Sequence, residues 1–470
     1  MDFRDTTVAE LTAQVSAREV AARELVTAAL DRIERLDGEL GALVAVDGEA
    51  ALAEAAAIDE RAAAGEDVGP LAGIPLAVKD LDHAAGFPTT HGSAAFADAP
   101  PADADSPLVE RLRAAGCVVV GKTNTPELGW KADTVNETFG ATRNPWDLDR
   151  SAGGSSGGSA AALAAGLVPL ATGTDGGGSI RIPSSAVGLT GMKCSLGRVP
   201  GGGPQPPGWP LLSTKGPMAR RIRDVALALD TVVGPDPTDL TSLPIPEASW
   251  SRSLLELNAP RKVAWSPTLG YAVVDDEVLA VCESAVARLE GLGTEVVVVD
   301  RVLDADPVSD WLAMVGVSCL RTLDPFRETD EGWSRIDPGL VALMEWARSS
   351  VDGVRLLQAI DACHTANLAL VDLFHDMPLL LTPTVAGQLP RVGELGTING
   401  EPDANWVRLT YPFNMTRSPA GTVCAGFTRD GLPVGLQVIG PQHADVAVLR
   451  LLALLEDALG LDPVPAFPSQ

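Results

Sequence analysis

The feature that most constrains this chain is segment 151–185, in which glycine, serine and alanine dominate. Such a composition often marks a flexible linker. Residues 160–170 (AAALAAGLVPL), however, fit a helix of small residues that leads into a strand. One glycine-rich run precedes this predicted helix, and another follows the start of the predicted strand. Glycine adopts backbone conformations that other residues avoid. The segment is therefore predicted to be folded rather than a linker.

The second run, Gly173–Arg181, places three glycines directly before Ser179. Successive N–H groups on such a backbone can point the same way and form a nest that holds an anion. Beside a serine hydroxyl, a nest can stabilise the oxyanion that forms when the serine attacks a carbonyl carbon. A plain tight turn would explain the same residues equally well. This motif alone therefore leaves open whether the segment is an oxyanion-binding nest or only a turn.

A serine becomes nucleophilic only when a base accepts its proton. The chain has five histidines, none at metal-binding spacing and none with a placed partner for a Ser-His-Asp triad. Each is expected to be a surface or satisfied polar residue; they are His83, His91, His364, His375 and His443. The sequence thus favours a base other than histidine, although it leaves a triad open.

Lys79 is the residue that the sequence favours as this base. It ends the apolar run Ile74–Val78, which is predicted to be a short buried strand, and lysine is rarely buried without a reason. Burial lowers the pKa of a lysine and can leave its amine neutral. The first glycine-rich run, Gly153–Ser159, supplies further hydroxyls on a backbone that glycine makes permissive.

Two other motifs match known functional patterns, but their residues do not favour the backbone structure that each pattern requires. Residues 116–123 match the phosphate-binding loop G-x-x-x-x-G-K-[ST], yet three valines at the variable positions favour an extended strand. Residues 154–158 match the G-x-S-x-G nucleophile elbow, but 150–153 are not predicted to form the strand that an elbow requires. Asp80 and Asp82 are expected to cap or pair locally rather than to act as acid and base.

Charge and composition exclude several classes of partner. The 62 acidic residues outnumber the 35 Lys and Arg, which gives a formal net charge of −27, so neither nucleic acid nor an anionic membrane surface is an expected partner. The six cysteines are scattered without a C-x-x-C pair, and no metal site is expected. No signal peptide or membrane-spanning run is recognised. The chain is expected to be cytoplasmic and to need no cofactor.

Alternating helices and strands predict an α/β architecture. Helices are predicted at 16–38, 49–64, 111–115, 223–233, 277–292, 338–366 and 445–458, and strands at 74–78, 118–120, 294–299 and 379–381. Residues 201–210 (GGGPQPPGWP) are predicted to be a mobile loop. One large domain, 1–470, is expected, with a helical part (1–68), a catalytic core (69–200) and a remainder of sheet and substrate pocket (201–470).

The run from Gly153 to Pro183 closely resembles the signature of the amidase signature family. The resemblance extends over nearly the whole chain. It includes residues 73–80 (GIPLAVKD), 121–124 (GKTN), 143–146 (RNPW) and 431–437 (GLPVGLQ). The family fold implies an α/β protein in which a large mixed β-sheet core is flanked by helices on both sides.

The resemblance also implies a role for each residue of the signature. Lys79 falls on the family's catalytic lysine, Ser155 on its bridging serine, which follows a cis peptide bond, and Ser179 on its nucleophile. The oxyanion donors are expected to be the backbone N–H groups of Gly176, Gly177, Gly178 and Ser179. The residues that correspond to polar braces of the site are Ser156, Asp175 and Arg181.

The resemblance leaves the substrate open within a class. Within the family, the sequence is most similar to stand-alone bacterial amidases and cyclic amide oligomer hydrolases. This similarity implies that the substrate is a small-molecule aryl or alkyl amide, with esters and carbamates as further substrates. Trp130 and Trp209 are candidate pocket residues, and Trp209 could swing over the site. A glutaminase subunit of an amidotransferase is the alternative, although segment 406–414 (WVRLTYPFN) lacks the expected acid. A non-catalytic subunit is a second alternative, and a monomer or homodimer is expected.

Overall fold

The computed structural model describes residues 1–204, 206–328 and 333–467, in which helices and strands alternate along most of the chain. The α-helices are α1 (Val8–Ser16), α2 (Ala22–Leu40), α3 (Gly48–Ala63), α4 (Pro107–Ala114), α5 (Gly157–Ala164), α6 (Arg181–Val187), α7 (Ile222–Val232), α8 (Asp276–Gly291), α9 (Val308–Leu323), α10 (Pro338–Ser350), α11 (Gly353–Asp376), α12 (Pro412–Met415) and α13 (Asp445–Leu459). Short 3₁₀ helices cover Ala94–Phe96, Glu127–Gly129, Arg252–Leu254 and Asp324–Glu328.

Two larger sheets and three short two-stranded ones account for the strands of the described residues. The strands are β1 (Leu43–Val46), β2 (Pro75–Lys79), β3 (Val118–Thr123), β4 (Val135–Asn136), β5 (Gly140–Ala141), β6 (Arg143–Asn144), β7 (Asp147–Ser151), β8 (Leu170–Asp175), β9 (Gly191–Lys193), β10 (Thr214–Met218), β11 (Lys262–Trp265), β12 (Glu295–Val298), β13 (Leu380–Pro383), β14 (Gly396–Ile398), β15 (Glu401–Asp403), β16 (Ala420–Phe427) and β17 (Pro433–Ile439).

Both large sheets are mixed. The first has the order β1-β3-β2-β8-β10, with β2 parallel to β3 and β8, and with antiparallel pairing at both edges. The second has the order β12-β11-β13-β17-β16-β9, and its β11 runs parallel to β12 and β13. The edge strands β9 and β10 contact each other, so the two sheets lie side by side. This arrangement confirms the predicted α/β fold with a mixed sheet core.

The central strands of the first sheet are covered on both faces. Every residue of β2, β3 and β8 is buried, and successive residues of a strand point to opposite faces of a sheet. Helices α2, α3 and α5 pack against this sheet, and α6, α8 and α13 pack against the second one. A separate apolar cluster joins α9, α10 and α11 beside the end of the first sheet that carries the candidate site.

Several predicted elements differ from the structure at their ends. Ser16 does not begin a helix; it is the last residue of α1, whose N-cap is Thr7 in a capping box with Glu10. The predicted helix 338–366 is two helices, because Val351 is extended and the Asp352 side chain accepts the Arg355 N–H to start α11. Residues 150 and 151, for which no strand is predicted, end β7.

Helix α9 and strands β16 and β17 have no predicted counterpart. Weak helix formers, among them Val308, Val315 and Gly316, obscure the helical signal of α9 in the sequence. The helix nevertheless buries an apolar stripe from Ala313 to Leu323 against α10 and α11. Packing against neighbouring helices thus outweighs the low intrinsic propensity of this segment.

Candidate active site

The candidate site lies where two adjacent parallel strands end. Lys79 is the last residue of β2, and Asp175 is the last residue of β8. Because parallel strands end at the same edge of a sheet, the lysine and the Ser179 loop meet there, although about a hundred residues separate them in sequence. The start of α5, with Ser155 and Ser156, lies against the same edge.

The Lys79 ammonium or amine group is enclosed by hydroxyls. Its Nζ lies 2.8 Å from Ser155 Oγ, 2.8 Å from Ser156 Oγ and 2.9 Å from Thr174 Oγ1. The side chain is fully buried, and burial lowers the pKa of Lys79 to about 7. The negative charges of Asp82 and Asp175 act in the other direction and raise this pKa, but their effect is smaller than that of burial. A lysine with this pKa is neutral in a large fraction of molecules near neutral pH and can accept a proton.

Ser155 follows a cis peptide bond, as the resemblance implies for the bond between Gly154 and Ser155. Gly154 faces the backbone of residues 132 and 133 at a distance that leaves no room for a side chain. Gly129, which has a φ of +71°, approaches so closely that a Cβ on it would lie 3.0 Å from Ser155 Oγ. These close approaches surround Ser155, which is buried.

The Ser179 segment contacts the Ser155 segment through the main chain. Ser156 N–H donates to the Ser179 carbonyl at 3.2 Å. Ser179 is 8% exposed, whereas Ser155 is 1% exposed, so the predicted nucleophile is the more accessible of the two serines. Its hydroxyl makes no hydrogen bond to a residue that the structure describes. The structure therefore shows the Lys79–Ser155 contact and places Ser179 beside it.

The glycine loop has three N–H groups free for an oxyanion rather than four. Gly178 N–H donates to Asp175 Oδ1 at 2.8 Å, which corrects the expectation that this amide is a donor to substrate. The N–H groups of Gly176, Gly177 and Ser179 form no hydrogen bond within residues 1–204, 206–328 and 333–467. These three remain as candidate donors, and Gly178 serves to close the turn.

A buried ion pair holds this loop in place. Arg181 Nη2 and Nε donate to the two carboxylate oxygens of Asp175 at 2.8 Å and 3.0 Å. Burial alone would raise the pKa of Asp175, but the charge and hydrogen bonds of Arg181 hold it well below its usual range. Both side chains are fully buried, so the pair depends on further hydrogen bonds to compensate its desolvation.

Those further hydrogen bonds come from the C-terminal half of the chain. Arg181 donates to Gln437 Oε1 at 2.6 Å, to Asn414 Oδ1 at 2.7 Å and to the Thr410 carbonyl at 3.0 Å. Asn414 also donates to the Asp175 carbonyl at 2.7 Å. The Thr410 hydroxyl donates to the Gly177 carbonyl at 2.5 Å. Residues more than two hundred positions away thus fix the shape of the loop.

Two tryptophans stand against the glycine loop. A Cβ on Gly176 would overlap Trp209 Cε3, and a Cβ on Gly177 would lie 2.5 Å from Trp311 Cζ2. The two indoles meet edge to face with ring centroids 6.1 Å apart. Trp209 therefore lies against the glycine loop, where it is joined by Trp311 of α9, which the sequence did not single out.

Of the predicted mobile loop 201–210, residue 205 lies outside the described residues, and residues 207 and 208 are bound to α9. Arg321 Nη2 of α9 donates to the carbonyls of Pro207 and Gly208 at 2.9 Å and 3.0 Å.

Trp130, the other pocket candidate, lies with its ring edge against Gly339 at the start of α10. It belongs to the same apolar cluster as Trp209 and Trp311. Trp130 therefore lines the region beside the site, and the structure places Trp209, not Trp130, against the glycine loop.

Several other residues considered in the sequence have structural partners. Lys122 of the 116–123 run lies in β3 and forms a buried ion pair with Asp80 at 3.1 Å, so this run is a strand and not a phosphate loop. Asp82 pairs with Lys215. His83 and His91 face each other edge-on at 6.4 Å beside this cluster, and burial lowers the pKa of His91 to about 4.

Sequence reasoning did not single out Thr174, Thr410 and Trp311. Thr174 had a signal, since a threonine directly before Asp175 lies at the end of the same strand as the glycine loop. Thr410 and Trp311 had none, because only the tertiary fold brings them to residues 176 and 177. Within the part of the chain that the structure describes, no cluster of His, Cys, Asp or Glu could hold a metal ion, and no helix is long and apolar enough to cross a bilayer.

Comparison with known proteins finds a matching family model, similar sequences and similar solved structures. The family model described as Amidase matches residues 24–449. An acylamidase of Rhodococcus erythropolis is 36% identical over 480 aligned residues, which cover 95% of this chain and 94% of that protein. A glutamyl-tRNA(Gln) amidotransferase component from Salinispora arenicola is also 36% identical, with 99% of both chains covered. Among solved structures, a bacterial aryl acylamidase of the amidase signature family superposes with a TM-score of 0.93 at 31% identity and covers 99% of both chains.

Proposed function

Since the chain belongs to the amidase signature family and is an amide hydrolase, we propose that it acts alone on aryl and bulky alkyl amides through an acyl-enzyme on Ser179. The observation that carries this proposal is the contact of 2.8 Å between Lys79 Nζ and Ser155 Oγ in a fully buried setting beside the Ser179 loop. A proton relay needs such a contact, and burial supplies the neutral amine that starts it.

In the first half of the reaction, Lys79 accepts the proton of the Ser155 hydroxyl, which in turn accepts the proton of Ser179. The Ser179 oxygen attacks the carbonyl carbon of the amide, and the negative charge moves to the carbonyl oxygen. The free N–H groups of Gly176, Gly177 and Ser179 are placed to stabilise that charge. The relay then returns the proton to the nitrogen of the leaving amine, because an unprotonated amide nitrogen is a poor leaving group.

In the second half, water attacks the acyl-enzyme by the same route. Lys79 and Ser155 accept a proton from the water molecule, the tetrahedral intermediate forms again, and the proton passes to Ser179 as the acid is released. Esters and carbamates present the same carbonyl group, so we propose them as additional substrates. The uncharged loop with its two indoles suits an apolar or aromatic substituent.

The alternative is ammonia release from glutamine for a partner enzyme, as the name of the Salinispora relative suggests for that protein. A glutaminase must hold the charged amino-acid end of glutamine. Within segment 406–414 the charged residue is Arg408, and its guanidinium already pairs with Asp403. The hydroxyl and amide of Thr410 and Asn414 bind the catalytic loop itself. The stand-alone reaction is therefore the better-supported function.

A substrate panel on the purified chain tests this proposal. We expect turnover of p-nitroacetanilide, phenyl acetate and a phenyl carbamate, and little release of ammonia from glutamine. Ser179→Ala should lower kcat by about 10⁴-fold or more, whereas Ser350→Ala, at an exposed serine that ends α10, should leave kcat unchanged. Turnover of glutamine alone, or full activity of Ser179→Ala, would refute it.

A further inference from the structure

Trp311 holds one peptide group of the glycine loop through a hydrogen bond. Its Nε1–H donates to the Gly176 carbonyl at 3.0 Å. The next peptide group is fixed twice, because Thr410 donates to the Gly177 carbonyl and Gly178 N–H donates to Asp175. The loop is therefore clamped at consecutive peptide groups by side chains from different parts of the fold.

The planarity of the peptide group connects this bond to the chemistry. The carbonyl of Gly176 and the N–H of Gly177 belong to the same plane and point in nearly opposite directions. When Trp311 holds the Gly176 carbonyl on its side, the Gly177 N–H must point to the other side of the loop. That N–H has no hydrogen bond to a described residue, as expected of a donor kept for substrate.

The Trp311 ring is itself held in one orientation. It stacks on Tyr411 with a centroid distance of 5.2 Å and an interplanar angle of 20°, and it meets Trp209 edge to face. The Tyr411 hydroxyl donates to Asp306 and accepts a hydrogen bond from Asn405 at 2.9 Å. A ring packed from two sides presents its N–H in a fixed direction, which is what a positioning role requires.

Position 177 requires a glycine because the Trp311 indole occupies the space that a side chain would fill. A Cβ at this position would lie 2.5 Å from Trp311 Cζ2, although the backbone of Gly177 is not in the left-handed region. The glycine is therefore needed for the close approach of the ring rather than for its backbone angles. The indole and the glycine form one unit, with the ring against the Cα and the N–H on the preceding carbonyl.

We propose that Trp311 is a positioning residue that sets the orientation of the Gly176–Gly177 peptide group and so aims the Gly177 N–H at the oxyanion. This inference rests on the proposed function, since it assigns a role within the same reaction. It also assigns α9, an element outside the signature segment, a part in transition-state stabilisation. Trp209, which packs against Gly176, remains the proposed pocket residue.

The sharpest test replaces one atom. A 3-benzothienylalanine at position 311 keeps the shape of the indole and replaces its N–H by sulfur, and Trp311→Phe serves as the genetic variant. We expect kcat for p-nitroacetanilide to fall about 10-fold to 100-fold, less than for the loss of a direct oxyanion donor, with KM changed by less than about 3-fold. The affinity for phenylboronic acid, whose adduct on Ser179 places an oxygen in the same nest, should fall in parallel with kcat/KM.

Two controls separate this role from pocket shape and stability. Trp346→Phe, at a partly exposed tryptophan of α10, should leave all three quantities unchanged. Trp209→Phe should change KM more than kcat. A higher KM with unchanged kcat in the benzothienyl variant would overturn the inference, since Trp311 would then only bind substrate. Full activity of Ser179→Ala would instead overturn the proposed function, so the two failures are distinguishable.

Discussion

Lys79 Nζ lies 2.8 Å from Ser155 Oγ, and neither residue is more than 1% exposed. This contact joins the end of a sheet strand to the start of a helix 76 residues later. Water cannot compete for either group, so the proton affinity of the amine is set by the protein. The reactivity that we propose for Ser179 therefore depends on the buried Lys79–Ser155 contact, because a serine hydroxyl is a weak nucleophile without a base.

The pH dependence of activity should report the Lys79 amine. Its pKa is lowered to about 7, and only the neutral form accepts a proton, so kcat/KM should rise through about pH 7 and level off above it. The rate should decrease on the acidic side because the protonated amine is no longer a base. A pH–rate profile with p-nitroacetanilide measures this. A single rise near the pKa of an ordinary carboxyl group would contradict a lysine base.

Replacement of Lys79 should remove that rise together with most of the activity. Lys79→Met keeps an apolar chain in the buried site, and we expect kcat/KM to fall by about 10³-fold to 10⁴-fold. The matched control is Lys262→Met in β11, a partly buried lysine away from the site, which should retain the rate and the profile of the wild type. Equal losses in the two variants would show that the effect is not specific to Lys79.

Thr174 should tune the same amine. Its Oγ1 accepts a hydrogen bond from Lys79 Nζ at 2.9 Å, which favours the charged form. Thr174→Val removes this acceptor at nearly constant volume, so the rise in the pH–rate profile should move to lower pH, and kcat/KM at its plateau should fall about 10-fold because the amine is less well oriented. Thr174→Ser should restore both. A shift to higher pH would show that the threonine acts otherwise.

Gly177 should tolerate no side chain. Gly177→Ala places a methyl group within 2.5 Å of the Trp311 ring and should displace the loop, with a loss of about 10²-fold or more in kcat/KM. Gly208→Ala is the control, since nothing lies within 4 Å of a Cβ there. Steady-state kinetics on both variants, with thermal unfolding to confirm the fold, check this. A fully active Gly177→Ala enzyme would mean that the loop adapts freely.

The Asp175–Arg181 pair should contribute strongly to stability. Arg181→Met leaves a buried carboxylate without its partner, and the free energy of unfolding should fall by about 3–5 kcal/mol. Arg223 forms a comparable ion pair with Asp457 at 2.8 Å, but both side chains are about half exposed, and Arg223→Met should cost less than about 1 kcal/mol. Urea denaturation of the two variants measures the difference, and similar losses would contradict it.

Local sequence was sufficient to predict much of the core. The alternation of apolar runs predicted β2, β3 and most of the longer helices, because burial of both faces of a strand leaves a continuous apolar run. Helix boundaries were less accurate, as at Ser16, because the helix predicted to start there is α2, which begins at Ala22 after its N-cap Ala21. Helix α9 escaped prediction, since its formation depends on packing against α10 and α11 rather than on propensity.

The sequence by itself was enough to name the candidate reactive groups of this protein. Lys79 stands out at the end of an apolar run and Ser179 after three glycines, and the resemblance to the family signature implies the role of Ser155. Only the tertiary structure decided which amides of the loop remain free and what holds them. Gly178 N–H is taken by Asp175, while Trp311 and Thr410 hold the carbonyls of Gly176 and Gly177. The Trp311 and Thr410 hydrogen bonds join residues more than a hundred positions apart, so they depend on the packing of whole helices and sheets, which no local pattern encodes. Asp175 is only three residues from Gly178, but its carboxylate is held by the buried pair with Arg181, which the C-terminal half of the chain supports.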